Sequence, residues 1–203
     1  MIGVDQSCAD EAGNLIPGVA TEWSSPDGNK TWVFKLRKGV EFHNGKSMDA
    51  NDVVASFNHH RGEGNKSAAS GLTKQISDVK ADGENVVFTL EGANADWPFI
   101  VSDYHLMICP AKDDGKMDWE SGVGTGGYSL ESFEPGVSTK VKRNPNYWKE
   151  NAAWFEDIDN AGGYNGSYAT GLSPTIYVDH PTIHNAQITE NIQTSPLRGD
   201  YIE

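Results

Sequence analysis

Reversal signals interrupt this chain so often that only short elements fit between them. Glu11-Ala12-Gly13-Asn14, Pro26-Asp27-Gly28-Asn29, Ala81-Asp82-Gly83-Glu84 and Glu134-Pro135-Gly136 each supply Gly, Asp or Asn where a backbone must turn back on itself. Six Trp, seven Tyr, seven Phe and 22 Gly point the same way, to short strands joined by tight turns. No apolar run approaches the roughly 20 residues a membrane-crossing helix needs. A chain of 203 residues suits one large domain or two small ones, with a core that needs no covalent staples.

Between the turns the periodicity is readable. Residues 31–36 alternate, with Trp32, Phe34 and Leu36 on one face and Val33 and Lys35 on the other, which predicts a half-buried strand. Residues 85–90 are rich in Val, Phe and Thr and also read as a strand. Residues 128–133 and 137–143 flank Pro135-Gly136, and Val137, Thr139, Val141 and Arg143 share a face, which predicts a hairpin. Asp49 is placed to cap a helix carrying Ala50, Val53, Val54 and Phe57 at helical spacing. Asp52 in its first turn suits the helix dipole, and Gly62 and Gly64 stop it. A second helix is expected over about 67–76, and strand-like patches lie at 175–178 and 186–192. No internal repeat or low-complexity tract is visible.

Charge narrows the function. The net charge of -13, from 16 Lys+Arg against 29 Asp+Glu, repels a phosphate backbone, so no nucleic-acid partner is expected. The mean hydropathy of -0.54 fits a soluble globular protein. Residues 1–12 lack the basic-then-apolar layout of a signal peptide, so if the protein is exported its signal is expected to have been removed already. Cys8 and Cys109 allow one disulfide or two free thiols, and no Cys/His spacing matches a zinc finger.

Several residues qualify as candidate contacts. Gly124-Thr125-Gly126-Gly127-Tyr128 can line a ligand cleft, because glycine lets a ligand approach the backbone; equally, these glycines can merely shape the entry to a strand. The stretch lacks the Lys-Ser/Thr ending of a phosphate loop. Tyr104 and His105 follow an apolar run ending at Val101, where they can meet a solute at a strand end or pack half-buried. His59 and His60 are adjacent on the expected helix and point about 100° apart, so a solvated helix end is expected rather than a shared metal ion. His180 and His184 are four apart, but Pro181 argues against a chelating helix, and no metal or cofactor is expected. Trp97, Trp119, Tyr147, Trp148 and Trp154 read as packing residues. The pairs Asp10 with Glu11, Asp113 with Asp114 and Asp157 with Asp159 read as solvated turn charges rather than catalytic carboxylates. With no Gly-x-Ser-x-Gly elbow either, the chain is not expected to be an enzyme.

Three ordered stretches carry a family resemblance. They are Leu15 to Trp23 followed by Trp32-Val33-Phe34-Lys35-Leu36-Arg37-Lys38-Gly39-Val40-Glu41-Phe42-His43-Asn44-Gly45; Met48-Asp49-Ala50-Asn51-Asp52-Val53-Val54-Ala55-Ser56-Phe57; and Gly124 to Tyr128, then Phe133-Glu134-Pro135-Gly136, then Arg143-Asn144-Pro145-Asn146-Tyr147-Trp148. In order and spacing they resemble the solute-binding proteins that feed peptides, opines or nickel to ABC transporters, over roughly residues 13–159. The resemblance implies an α+β, or mixed α/β, fold: the first lobe of a type II (cluster C) periplasmic-binding fold, with mixed β-sheets and flanking helices. It implies a small α+β subdomain over 1–120, a sheet hairpin and connecting segment over 121–160, a Gly linker at 161–163 in place of the second lobe, and a return segment over 164–203.

The function it implies is extracytoplasmic, in the periplasm: capture of a short peptide or similar solute for an ABC permease. A nickel or metal-chelate ligand is the alternative, and a minimal engineered scaffold without ligand a third reading. Such proteins hold solute between two lobes that close on a hinge. A single lobe, engineered rather than a natural truncated paralogue, is expected here, with weak or no binding of its own and self-association through the exposed lobe interface. The candidate contacts are Tyr104, His105, Gly124, Thr125, Gly126, Gly127 and Tyr128.

Overall fold

The computed structural model describes residues 14–62, 65–135, 138–150, 153 and 157–161, the last five by their backbone. The chain divides into two compact units, one up to Thr125 and one from Gly126 onward. The first unit contains, in chain order, β1 (Ala20–Ser24), β2 (Thr31–Leu36), α1 (Ala50–His59), α2 (Ser70–Thr73), β3 (Ile76–Asp82), β4 (Asn85–Leu90) and α3 (Trp97–Ile100). The four strands form an antiparallel sheet in the order β1-β2-β4-β3.

The alternation read in the sequence sets the buried face. Trp32, Phe34 and Leu36 are buried on β2, and Val86, Phe88 and Leu90 on β4. Phe88 is the centre of this core. Its ring meets those of Phe34, Phe57 and Trp97 at centroid distances of 5.7, 4.8 and 5.4 Å, each edge to face. One side chain thereby joins two strands, α1 and α3, in the arrangement that the aromatic quadrupole favours. The connections obey turn chemistry. Gly28 and Asn29 take positive φ between β1 and β2, where Asp27 Oδ1 accepts the Thr31 N–H at 2.6 Å. Gly83, with φ of 60°, sits in the two-residue connection between β3 and β4.

Helix α1 begins where Asp49 accepts the N–H groups of Asn51 and Asp52, and Asp52 accepts the Asp49 N–H in return, a complete capping box. Its buried stripe is broader and more polar than the apolar spacing predicts. Asp52 and Ser56 are buried with Ala50, Val53, Ala55 and Phe57, while Val54 is only half-buried. Asp52 tolerates burial because Lys46 Nζ and the N–H groups of Asp49 and Ala111 all bond its carboxylate. The Ser56 hydroxyl lies 2.8 Å from the Asp52 carbonyl and accepts the Cys109 N–H at 3.1 Å. The helix ends at His59, and Gly62 comes soon after with φ of 102°; Gly64 lies outside the described residues.

Two expectations about the helices do not hold. The second helix is four residues, not ten, because Ile76 pairs with Leu90 and starts β3, taking the end of that segment into the sheet. His60 is not a solvated helix end: it is buried, with Nδ1 2.6 Å from Ser67 Oγ, while His59 stays exposed.

A tight turn occurs twice in the first unit, although the sequence shows no repeat. Around residues 41–47, Phe42 N–H donates to Lys46 O, Gly45 N–H to Phe42 O, and Met48 N–H to Val40 O, while Lys46 N–H donates to Asn44 Oδ1. Around 111–117, Lys112 N–H donates to Lys116 O, Gly115 N–H to Lys112 O, and Asp118 N–H to Pro110 O, while Lys116 N–H donates to Asp114 Oδ1. Glu41 bridges Ser47 in one and Ala111 bridges Met117 in the other. Gly45 and Gly115 take φ of 81° and 77°, the left-handed conformation that admits glycine freely.

In the second unit β5 (Tyr128–Glu134), β6 (Ser138–Arg143) and β7 (Asp157–Ala161) form an antiparallel sheet in that order. The predicted hairpin is β5–β6, with a bulge between Leu130 and Ser132; Gly136 and Val137 lie outside the described residues. A small core of Tyr128, Val141 and Ala153 is flanked by Tyr147. Asp157 and Asp159 lie in β7, opposite Lys142 and Lys140, rather than in a turn. Ala161, expected to open a linker, closes β7, and Gly162, Gly163 and the segment 164–203 lie outside the described residues. The same holds for Cys8, Asp10, Glu11, Trp154, His180 and His184.

Candidate functional site

The first unit contributes the loop bearing Gly124 and Thr125, and a side chain 81 positions earlier holds it. His43, in the first tight turn, donates its N–H to Gly124 O at 2.9 Å and accepts the Gly124 N–H on Nδ1 at 3.2 Å. Gly124 is half-buried, and a Cβ placed on it would stand 3.7 Å from His43 Cε1, an ordinary contact. The fold of this unit therefore does not itself demand glycine at 124.

In the second unit Asn144 secures the neighbouring glycines. Its Nδ2 donates to Gly126 O at 3.1 Å and its backbone N–H to Gly127 O at 2.8 Å. Its own Oδ1 accepts the Asn146 N–H at 3.0 Å, so one side chain shapes both segments. Gly127 is buried, and the Tyr128 ring is spent on the core, 1 % exposed beside Val141.

Tyr104 and His105 sit in a turn after α3, not at a strand end, because 97–100 close as a short helix with Pro98 in its first turn. Tyr104 is exposed with its ring 3.8 Å from that of His105. Asp103 Oδ1 accepts the His105 backbone N–H at 2.9 Å and lies 2.7 Å from its Nδ1. Both residues are accessible to a solute from this turn.

The other titratable groups offer little chemistry. Burial pushes His60 down to about 4, helped by the charges of His59 and His105, so it is neutral at physiological pH. Burial pushes the Cys109 thiol up to about 11, which keeps it protonated and unreactive, and it has no sulfur partner among the described residues. Asp113 and Asp114 are exposed, as expected of turn charges. Trp97 is fully buried, whereas Trp119, expected to pack, is 58 % exposed. Among the described residues no group of three or more His, Cys, Asp or Glu could hold a metal ion, and no helix is long and apolar enough to cross a membrane.

In the sequence His43 and Asn144 stand out only as members of motifs, with no role assigned to either. Neither lies near the glycine-rich stretch in the sequence, so no local signal links them to it.

The comparisons with known proteins agree with this architecture. The family model described as bacterial extracellular solute-binding proteins, family 5, middle region, matches residues 14–160. A dipeptide-binding protein of Escherichia coli K12 is 30% identical over 66% of this chain and 30% of its own length. The nickel-binding periplasmic protein of the same organism is 31% identical over 70% of this chain and 28% of its own. Among solved structures, the PBP AgaA of A. tumefaciens R10, in complex with agropinic acid, superposes with a TM-score of 0.69 at 20% identity, over 80% of this chain and 33% of that one. The chain thus spans less than a third of the length of these two curated relatives. With the family model covering most of the chain, and the sheets and capped helix in place beneath it, this chain belongs to the bacterial extracellular solute-binding proteins of family 5.

Proposed function

We propose that this chain serves in solute capture for an ABC importer outside the cytoplasmic membrane, as a non-catalytic binder, with short peptides as the solute class. The observation that carries the reading is the backbone at Gly124 in the first unit, whose carbonyl and N–H are both held by His43. The held carbonyl keeps a second lone pair, and with no side chain at Gly124 in the way it is suited to accept the N–H of a peptide. Exposed Tyr104 and half-buried His105 offer an aromatic and a polar group on the turn after α3, as separate candidate contacts in the first unit. The dipeptide relative supports the solute class.

In a two-lobed protein, closure would bury the solute from both sides. The described residues supply one side, so binding by this chain alone is weak. A thermal-shift titration with a dipeptide and oligopeptide library, and separately with nickel, tests this. A peptide at about ten times its Kd adds roughly 1.4 kcal/mol and raises the melting temperature by a few degrees. A rise with peptides supports the reading. A rise with nickel alone replaces it with a metal solute, and a cooperative melt that nothing shifts at millimolar concentrations removes the site from this chain.

A further inference from the structure

We propose that His43 is a positioning residue for the glycine edge at Gly124 and Thr125, acting as its Nε2-protonated tautomer. This deepens the reading above and rests on it for the claim that the edge faces solute. The geometry at Nδ1 decides the tautomer. A backbone N–H can be accepted only by a ring nitrogen that carries no hydrogen, so the 3.2 Å approach of Gly124 N–H assigns the ring proton to Nε2. The reverse bond, His43 N–H to Gly124 O at 2.9 Å, closes a two-point clasp that fixes both polar atoms of Gly124.

Three further observations make the clasp the agent that sets the loop. Gly124 lacks a positive φ and has room for a Cβ, so its path is not enforced by glycine-only conformation. The imidazole is mounted on a turn that is itself held to α1 through Lys46 and the buried Asp52. The second copy of that turn carries exposed Asp113 at the corresponding position, so the turn does not need a histidine there. The imidazole is thus matched to the loop it grips, and it sets the direction of the Gly124 and Thr125 backbone without having to touch solute.

Amide hydrogen exchange and ring-nitrogen NMR on the labelled chain test this. In the wild type, His43 Nδ1 is unprotonated and the Gly124 amide is protected. In His43→Leu the Gly124 amide exchanges roughly tenfold faster, the size expected for one lost hydrogen bond. In His43→Asn the Oδ1 stands where Nδ1 stood and protection returns, whereas in His43→Gln the acceptor is one bond further out and it does not. A proton on Nδ1 in the wild type, or equal protection of Gly124 in the Asn and Gln variants, overturns the proposal; that pair decides the matter if the Leu variant does not fold. No solute enters these readouts, so a failure of peptide binding falls on the site reading alone.

Discussion

The two tight turns at 41–47 and 111–117 share backbone hydrogen bonds, a left-handed glycine and a lysine at the same place, yet only the first opens into a helix. The difference lies in the next few residues of each. After the first turn Asp49 caps α1 and Asp52 enters the core. At the corresponding places after the second stand Trp119, which cannot cap, and Gly122, whose φ of 68° ends any helical path. The two lysines diverge with them. Lys46 bonds a carboxylate that is fully buried, while Lys116 meets Asp114 across 3.1 Å in solvent. A turn of this kind is specified locally, but the value of its side chains is decided by the element that comes next.

The sharpest way to break the comparison is Asp52→Ala. It removes the acceptor shared by Lys46 and the Asp49 and Ala111 N–H groups, so it disturbs both turns together. We expect a loss of about 3–5 kcal/mol in urea unfolding. Next, Lys46→Met is expected to cost about 1–3 kcal/mol, because it leaves a buried carboxylate with fewer donors, whereas Lys116→Met changes stability by less than about 0.5 kcal/mol. Equal effects of the two lysine variants would show that Asp52 does not depend on its ion pair.

Gly45→Ala and Gly115→Ala should sharpen the likeness instead. Neither site has an atom within 4 Å of an added Cβ, so each should lose only the left-handed backbone penalty of about 1–2 kcal/mol, and the two losses should match. The smallest effect concerns pH. The Lys116 N–H and ammonium hold the Asp114 carboxyl below its usual range. A depressed carboxylate adds stability above its unfolded pKa and loses it as pH falls through the folded one. Asp114→Asn should therefore leave stability at pH 7 nearly unchanged and slightly flatten its decline below about pH 4.

Legibility in the sequence tracked the strength of the local signal. β2, β4 and α1 were readable because each has a buried face with a clean period and a turn or cap at its start. β1 and β3 were not. Both are edge strands with few buried positions, Ala20 in one and Ile76 and Val79 in the other, which leaves little periodicity to detect. Asp52 was read from its place in a first turn as a dipole partner; its burial depends on Ala111, 59 positions away, which no local pattern encodes. The glycine run was visible, but the residues that hold it come from positions 43 and 144, so its support could be read only in three dimensions.

The order β1-β2-β4-β3 has a kinetic consequence. β1–β2 and β3–β4 are neighbours along the chain, and each closes through a short connection, as hairpins do on a microsecond scale. The central pairing of β2 with β4 joins Lys35 to Asn85 and must close a loop of about fifty residues that contains α1. The order predicts that the first unit assembles by docking two hairpins, with the Phe88 contact to Phe34 forming at that step. Truncating Phe88 should slow refolding in stopped-flow measurements, while a change at exposed Lys80 on β3 should act on neither limb, which would place the rate-limiting event at the middle of the sheet.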